Sequence, residues 1–334
     1  MSLETIAIVG PGRINRGVAQ AFLWAGHPVT VVDLKRRDEA DCARVEALVR
    51  DEIAQGLDML VRMKRTDKEG ADAMHGRLAF VRAEDSAEAL GAADIIIEGV
   101  PEDLAIKEAV LREISRANGD AIIASGTSTM MADELAAFVD RPERFLNAHF
   151  LNPAWLIPLV ELSPSAVTDE AVVETMHALL ARSGKQPIRC KPSPGYIVPR
   201  VQMLAGNEAI RLLQEGVATA EDIDRALRIG FALRFTVLGF LEFADWGGIH
   251  MGRFAGDYLA SRLKGEHFRA PPIIDEMLAQ GASGMYAGRG FFDYEGRDLK
   301  AYRDGVTERL LDLIDHVGLF PAAGCAEGEA SPAG

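Results

Sequence analysis

A histidine and a glutamate twelve positions apart, His149 and Glu161, are the side chains of this 334-residue chain best placed for proton chemistry. His149 stands in FLNAHFLNP, residues 145 to 153, a strand pattern running into an Asn-Pro turn. Glu161 interrupts the apolar run Leu159-Val160-Glu161-Leu162. A carboxylate inside such a run is costly to bury alone, so it requires a partner. His149 is the natural one: the acid orients the imidazole and favours its protonated form. An imidazole held this way can take the proton of an alcohol as the alcohol is oxidised, a contribution of about 10²–10⁴-fold. A core histidine satisfied by a core glutamate is the other reading. Spacing alone does not decide between them.

Other polar side chains follow apolar runs in the same manner. Ser125-Gly126-Thr127-Ser128-Thr129 comes after the strand Ala121 to Ala124 and reads either as a row of hydroxyls at a ligand-facing edge or as an N-cap cluster for a helix near Ala132. Glu98, Glu102 and Lys107 come after Ile95-Ile96-Ile97, and Lys107 is free to meet a ribose, a substrate anion or solvent. Met130 and Met131 read as core-lining. Trp155 reads as a pocket cap or as packing.

The elements that must position these groups begin at Thr5. The stretch to Asp33, TIAIVGPGRINRGVAQAFLWAGHPVTVVD, is strand, glycine turn, helix and strand with a terminal acid, the usual cradle of a dinucleotide. Gly10 permits the tight turn, and Gly12 leaves no side chain between backbone and pyrophosphate. The helix opening at Arg13 aims its first N–H groups, those of Arg13, Ile14 and Asn15, at the phosphates. Asn15 stands where the fingerprint has its third glycine, and Gly17 is the residue left to permit close helix–strand approach. Asp33 accepts from the adenine-side ribose hydroxyls and repels a 2′-phosphate by up to about 4 kcal/mol per charge pair at about 4 Å and an effective dielectric near 20. NAD is therefore the expected cofactor. Lys35, Arg36 and Arg37 keep open an NADP-linked reductase.

Beyond Asp33 a helix pattern runs from 38 to 64, broken by Gly56, and 64–76 reads as an exposed turn or a join between helices. Strand patterns at 78–81, 95–97, 121–124, 145–150, 159–162 and 188–190 alternate with helical ones, which gives an α/β fold with a mostly parallel sheet covered on both faces. At Lys191-Pro-Ser-Pro-Gly195 strands give way to helix patterns at 197–214, 219–228, 249–263 and 272–278. The expected organisation is a Rossmann-type domain at 1–192, an all-helical domain at 193–320 and a disordered tail at 321–334. The formal net charge of −14 argues against nucleic acid or an anionic membrane surface as partner. Cys42, Cys190 and Cys325 are too scattered for a disulfide framework or a zinc site, and no metal site is expected. With no signal-peptide pattern and no apolar run of spanning length, a cytoplasmic location follows.

IVGPGRINRG, the Val100–Lys107 segment VPEDLAIK, ASGTST, HFLNP, PLVEL, PGYIVPR and GRGFFDY, taken in order, resemble the 3-hydroxyacyl-CoA dehydrogenase superfamily from Ile6 to about Tyr294. The resemblance implies a Rossmann domain followed by a helical domain that mediates dimerisation, with substrate between them. It makes His149 the catalytic base, Glu161 its dyad partner, Ser128 the serine near the reacting hydroxyl and Asn152 the asparagine beside the nicotinamide. Glu102 and Lys107 match residues on the ribose side of the cofactor. A short 3-hydroxyacyl-CoA is the implied substrate.

Four departures bear on that substrate. Pro199 precedes Arg200 where the family usually has asparagine, and Tyr286 stands near the last motif where lysine is common. The family's CoA-holding lysines have no clear counterpart, Arg50 being the nearest cation. Pro158 before Leu-Val-Glu resembles the L-gulonate dehydrogenase/λ-crystallin and carnitine dehydrogenase branch, which implies a free 3-hydroxy acid as the alternative substrate. A non-catalytic, crystallin-like NAD(H)-binding protein is the reading from another class.

Overall fold

The computed structural model describes residues 3–321 except Lys264, and the compact parts are two, Met1–Gly206 and Asn207–Gly334. Of the expected tail at 321–334, residues 322–334, with Cys325, lie outside the described residues.

The first unit is built on β1 (Ile6–Val9), α1 (Arg13–Trp24), β2 (Val29–Asp33), α2 (Glu39–Arg62), α3 (Lys68–His75), β3 (Leu78–Arg82), α4 (Ser86–Gly91), β4 (Ile95–Glu98), α5 (Leu104–Ala117), β5 (Ile122–Ser125), α6 (Ala132–Ala136), β6 (Phe145–Phe150), β7 (Leu159–Pro164), α7 (Glu170–Arg182) and β8 (Gln186–Arg189). The strands form one sheet in the order β3-β2-β1-β4-β5-β6-β7-β8. Strands β1 to β6 are parallel, β7 is antiparallel to β6, and β8 runs parallel to β7. The order 3-2-1-4-5-6 is that of a Rossmann sheet, with its switch point between β1 and β4.

The central strands are apolar on both faces because helices cover both. Ile6, Ile8, Val31 and Ile97 face one core, and Ala7, Val9, Val32 and Ile96 face the other. Helix α2 buries Val45, Val49, Ile53 and Leu57, spaced four apart, and Asp38 caps it by accepting from the Asp41 N–H at 2.8 Å. It runs unbroken through Gly56, against the expected break. A Cβ at that position would lie 2.3 Å from Gln20 Oε1, so the glycine admits the side chain of a crossing helix and does not end its own. The expected turn at 64–76 contains α3, started by Asp67 through the Gly70 N–H.

Helix α8 (Val198–Gln214) carries the division between the units at Gly206, inside the helix and beyond the Pro/Gly junction. That junction instead folds back on the sheet, where Tyr196, Ile197 and Val198 bond to residues of β6 and β7. The second unit continues with α9 (Ala220–Ala226), a π-helical turn at Leu227–Ala232, α10 (Leu233–Val237), α11 (Phe240–Gly247), α12 (Ile249–Leu263), α13 (Ile273–Ala279) and α14 (Leu299–His316). Thr219 caps α9 by accepting from the Asp222 N–H at 3.1 Å. The sequence reading did not foresee α10, α11 or α14. The motif at 288–294 closes on Asp245, which is fully buried and accepts from Phe291 N and Phe292 N at 2.9 Å and from the Tyr294 hydroxyl at 3.2 Å. A Cβ at Gly290 would fall 2.0 Å from Asp245 Oδ1, so this loop tolerates only glycine there.

Candidate active site

The glycine turn at the end of β1 is locked from several sides. Gly10 has φ +98, a conformation L side chains rarely adopt, and an added Cβ would meet the Gly99 carbonyl at 3.1 Å. Asn15, buried, donates to the carbonyls of Val9 at 2.9 Å and Gly10 at 2.8 Å. The amide therefore braces the turn where a glycine is usual. It fits because Gly99 opposite has no side chain; a Cβ there would lie 2.2 Å from Asn15 Oδ1. Gly17 makes its close approach to Ala154, in the turn after β6, and not to a strand.

Gly12 caps α1 with no side chain of its own, which leaves the N–H groups of Arg13, Ile14 and Asn15 without a side-chain acceptor. Asp33, 5% exposed at the end of β2, accepts from Lys35 N at 3.2 Å and from Arg37 Nε at 2.6 Å. Arg37 also reaches Asp41 at 2.8 Å, so its charge is divided between two carboxylates. Gly10, Gly12, Asp33, Lys35 and Arg37 line a cavity of about 690 Å³ with Val100 and Pro101. Open helix N–H groups at one end and a buried acid at the other fit a dinucleotide.

Strand β4 ends on Glu98, which is fully buried. Lys107 on α5, 1% exposed, places its ammonium 2.9 and 3.1 Å from the two carboxylate oxygens. Ser125 Oγ donates at 2.6 Å and Val100 N at 2.7 Å to the same carboxylate. Lys107 is thus turned inward to an acid the sequence reading did not pair with it, 3.7 Å from Glu102. The reason is physical: a carboxylate at the buried end of an apolar strand takes the nearest cation.

Glu102 accepts from the hydroxyls of Thr127, at 2.8 Å, and Ser128, at 3.0 Å, and from the Ser128 N–H. Burial works against its charge, but these donors and Lys107 outweigh it and hold the carboxyl below its ordinary range. The hydroxyls of 127 and 128 therefore serve Glu102, and the capping of α6 falls to other residues.

Strands β6 and β7 bring the remaining pair together. Their antiparallel register sets His149 directly across from Glu161, on one face of the sheet. His149 Nδ1 lies 2.8 Å from Glu161 Oε2, and the two are 7% and 0% exposed. Glu161 Oε1 accepts from Ile197 N and Val198 N, both at 2.9 Å, where α8 begins. One carboxyl thus caps a helix and holds an imidazole. Backbone N–H groups can only donate, which makes Oε1 an acceptor, and a carboxylate accepts at Oε2 as well. Nδ1 then carries the ring proton, and Nε2 is left to accept one.

One layer deeper, Asn147 donates from Nδ2 to the Met130 carbonyl and to the Tyr196 hydroxyl, both at 2.9 Å. The Tyr196 hydroxyl donates to the Thr127 carbonyl at 3.0 Å, and the Tyr196 ring stacks on His149 with centroids 5.3 Å apart. Burial pushes this phenol far above its ordinary range, so it remains a donor at every working pH. Sequence reasoning missed Tyr196 and Asn147, and named Glu98 without its partner Lys107. Asn147 had a signal, since it shares with His149 the period-two face of FLNAHF. Asn152, exposed just beyond β6, lines with Arg13, Arg62 and Trp155 a second cavity of about 520 Å³. Among the described residues no group of three His, Cys, Asp or Glu is placed to hold a metal ion, and no helix is long and apolar enough to cross a membrane.

Comparison with known sequences decides the family. Residues 5–193 match the profile of the 3-hydroxyacyl-CoA dehydrogenase NAD-binding domain, and 195–294 that of its C-terminal domain. The chain belongs to the 3-hydroxyacyl-CoA dehydrogenase family. It is an NAD-dependent oxidoreductase acting on a CH–OH group. A 3-hydroxybutyryl-CoA dehydrogenase of Mycobacterium tuberculosis is 30% identical over 299 residues, 88% of this chain and 99% of that one. The crystal structure of a 3-hydroxyacyl-CoA dehydrogenase from Archaeoglobus fulgidus superposes with a TM-score of 0.73 at 30% identity, covering 95% of this chain and all of that one. An NAD-dependent 5-formyl-3-hydroxy-2-methylpyridine 4-carboxylic acid 5-dehydrogenase is similar at a TM-score of 0.65 and 26% identity, covering 95% of this chain and 99% of that one.

Proposed function

We propose that the chain oxidises the 3-hydroxyl of a short 3-hydroxyacyl thioester, of the 3-hydroxybutyryl-CoA kind, with His149 as general base and Glu161 as its partner. The observation that carries this reading is the 2.8 Å pairing of a buried imidazole with a glutamate whose other oxygen is already engaged. Glu161 keeps a proton on Nδ1, so Nε2 receives the one lost by the alcohol. NAD, when bound, supplies the acceptor for the hydrogen that leaves carbon with its electron pair. Ser128 turns its hydroxyl from Glu102 to the reacting oxygen when substrate is bound, and Asn152 stands at the nicotinamide end. Gly10, Gly12 and the N–H groups of Arg13, Ile14 and Asn15 receive the pyrophosphate. Gly17 brings the turn after β6 against α1, and Asp33 receives the adenine-side ribose. Glu102 serves the other ribose, with Lys107 acting through the charge it adds beside Glu98 and Glu102.

The names of the relatives favour a thioester. A free 3-hydroxy acid of the gulonate or carnitine type is the second reading, and one observation favours it. Arg50, the cation nearest to a CoA-holding position, is engaged by Glu46 at 2.9 Å and sits beside the Leu78 carbonyl. A similar structure bears the name of a dehydrogenase for a free carboxylic acid. NADH formation from 3-hydroxybutyryl-CoA, 3-hydroxybutyrate, L-gulonate and L-carnitine separates the two. Turnover of the thioester alone is expected; turnover confined to the free acids overturns the thioester and leaves the base assignment standing. Homodimerisation through the helical unit completes the proposal, supported by Met251, Phe254, Tyr258 and Ile273, all more than half exposed.

A further inference from the structure

We infer that Tyr196 is a positioning residue of this reaction, fixing the plane of the His149 ring and tying the segment that carries Ser128 to strand β6. The inference rests on the dyad reading given above. Its ground is the path of the chain between β8 and α8. Gly195 has φ +72 and Tyr196 φ +46, two successive left-handed residues, of which the second has a side chain that disfavours it. Such a conformation is costly for a residue with a side chain and persists where the surroundings impose it.

What the turn achieves is specific. It lays the Tyr196 ring, 4% exposed, on the face of His149 with an angle of 20° between the planes. The next two residues deliver their N–H groups to Glu161. One short stretch therefore touches both members of the pair, the imidazole by its ring and the carboxylate by its backbone. Glu161 holds the imidazole at a single edge, which leaves the ring free to tilt about that bond. The stacked phenol removes the tilt.

The hydroxyl has a separate task. It accepts from Asn147 of β6 and donates to the Thr127 carbonyl, one residue before Ser128. With its single proton directed at that carbonyl, the phenol is not placed to exchange protons with substrate. It acts through its neighbours. A general base displaced by about 1 Å can lose 10²-fold in rate, so an effect of that order is expected when the ring is removed.

The test compares Tyr196→Phe, Tyr196→Leu and His149→Ala in steady-state turnover, with NADH binding measured on each. Tyr196→Phe keeps the ring but cuts the tie between Asn147 and the Thr127 carbonyl, so a loss of kcat of about tenfold, smaller than that of the leucine variant, is expected, and a loss as large as the leucine variant's overturns the role of the ring. Tyr196→Leu is expected to lose kcat by about 10²-fold, with KM for NAD and NADH affinity within about twofold. If the leucine variant does not fold, Tyr196→Met, longer and unbranched, carries the same expectation. Full kcat in Tyr196→Leu or Tyr196→Met overturns the inference, as does a loss of kcat matched by an equal loss of NADH affinity. His149→Ala separates the two levels. If it still turns over, the base assignment fails; if it is inactive while Tyr196→Leu is fully active, only the positioning role fails.

Discussion

Two glutamates, Glu98 and Glu161, lie fully buried toward the same end of one sheet, and their partners divide framework from chemistry. Glu98 is closed on every side: Lys107 sits on both oxygens, and Ser125 and Val100 add their donors. Glu161 has its inner oxygen closed by two backbone N–H groups and its outer one on His149. A lysine ammonium can only donate, so it offers no acceptor for a substrate proton. An imidazole has a second nitrogen, and that nitrogen is what remains for a substrate. The same rule, that a buried carboxylate must be paired, thus yields a strut in one place and, on the proposed reading, a base in the other.

The largest effect that would sharpen this contrast belongs to Glu161→Gln. The backbone N–H groups of 197 and 198 still require an oxygen, so the amide turns its NH₂ toward His149. Nδ1 must then accept, the ring proton moves to Nε2, and the base is disabled with its shape intact. A loss of about 10²–10⁴-fold in kcat with little change in melting temperature is expected from steady-state rates and a thermal scan. Glu98 predicts the opposite pattern. Lys107→Met leaves an uncompensated buried charge and is expected to lower stability by about 3–5 kcal/mol in denaturant titration. Activity per folded molecule should fall far less than in Glu161→Gln; a rate loss of the same size would erase the distinction.

The smallest effect concerns a third buried charge with no acid at all. Lys185 donates to the carbonyls of Ala154 at 2.6 Å and Ile157 at 2.9 Å, holding the turn that follows Asn152. Burial pushes its ammonium down from 10.5 to about 8. Between those values the unfolded chain binds the proton and the folded chain does not, so this group makes stability rise with pH across that window. The unmutated chain should gain on Lys185→Met as pH climbs from about 8 toward 10.5 and stop gaining beyond it. Parallel stability curves for the two proteins would contradict this.

The sequence made much of this legible because much of it is local. Alternating apolar runs, the glycine turn and Asp33 each announce an element within a few residues, and those elements form the sheet. The histidine and glutamate were legible for a related reason: a polar residue inside an apolar run needs a partner, and a two-strand return supplies it at short range. What stayed hidden depends on which surfaces meet. Gly56 read as a break because nothing local says that Gln20 crosses there, and Asn15 read only as a departure from the glycine fingerprint because Gly99 is far along the chain. Lys107 offered several partners until the fold placed Glu98 beneath it. Tyr196 was unreadable because its role lies in a left-handed backbone turn and a stack on a ring 47 positions earlier in number, 196 against 149.

The most direct test of the central claim is the rate of NADH formation by His149→Ala on the best substrate of the unmutated chain, with NADH binding measured alongside. A loss of about 10²–10⁴-fold with NADH affinity retained is the expected result. A variant that binds NADH and still turns over within about tenfold of the unmutated chain would contradict the assignment of His149 as the base.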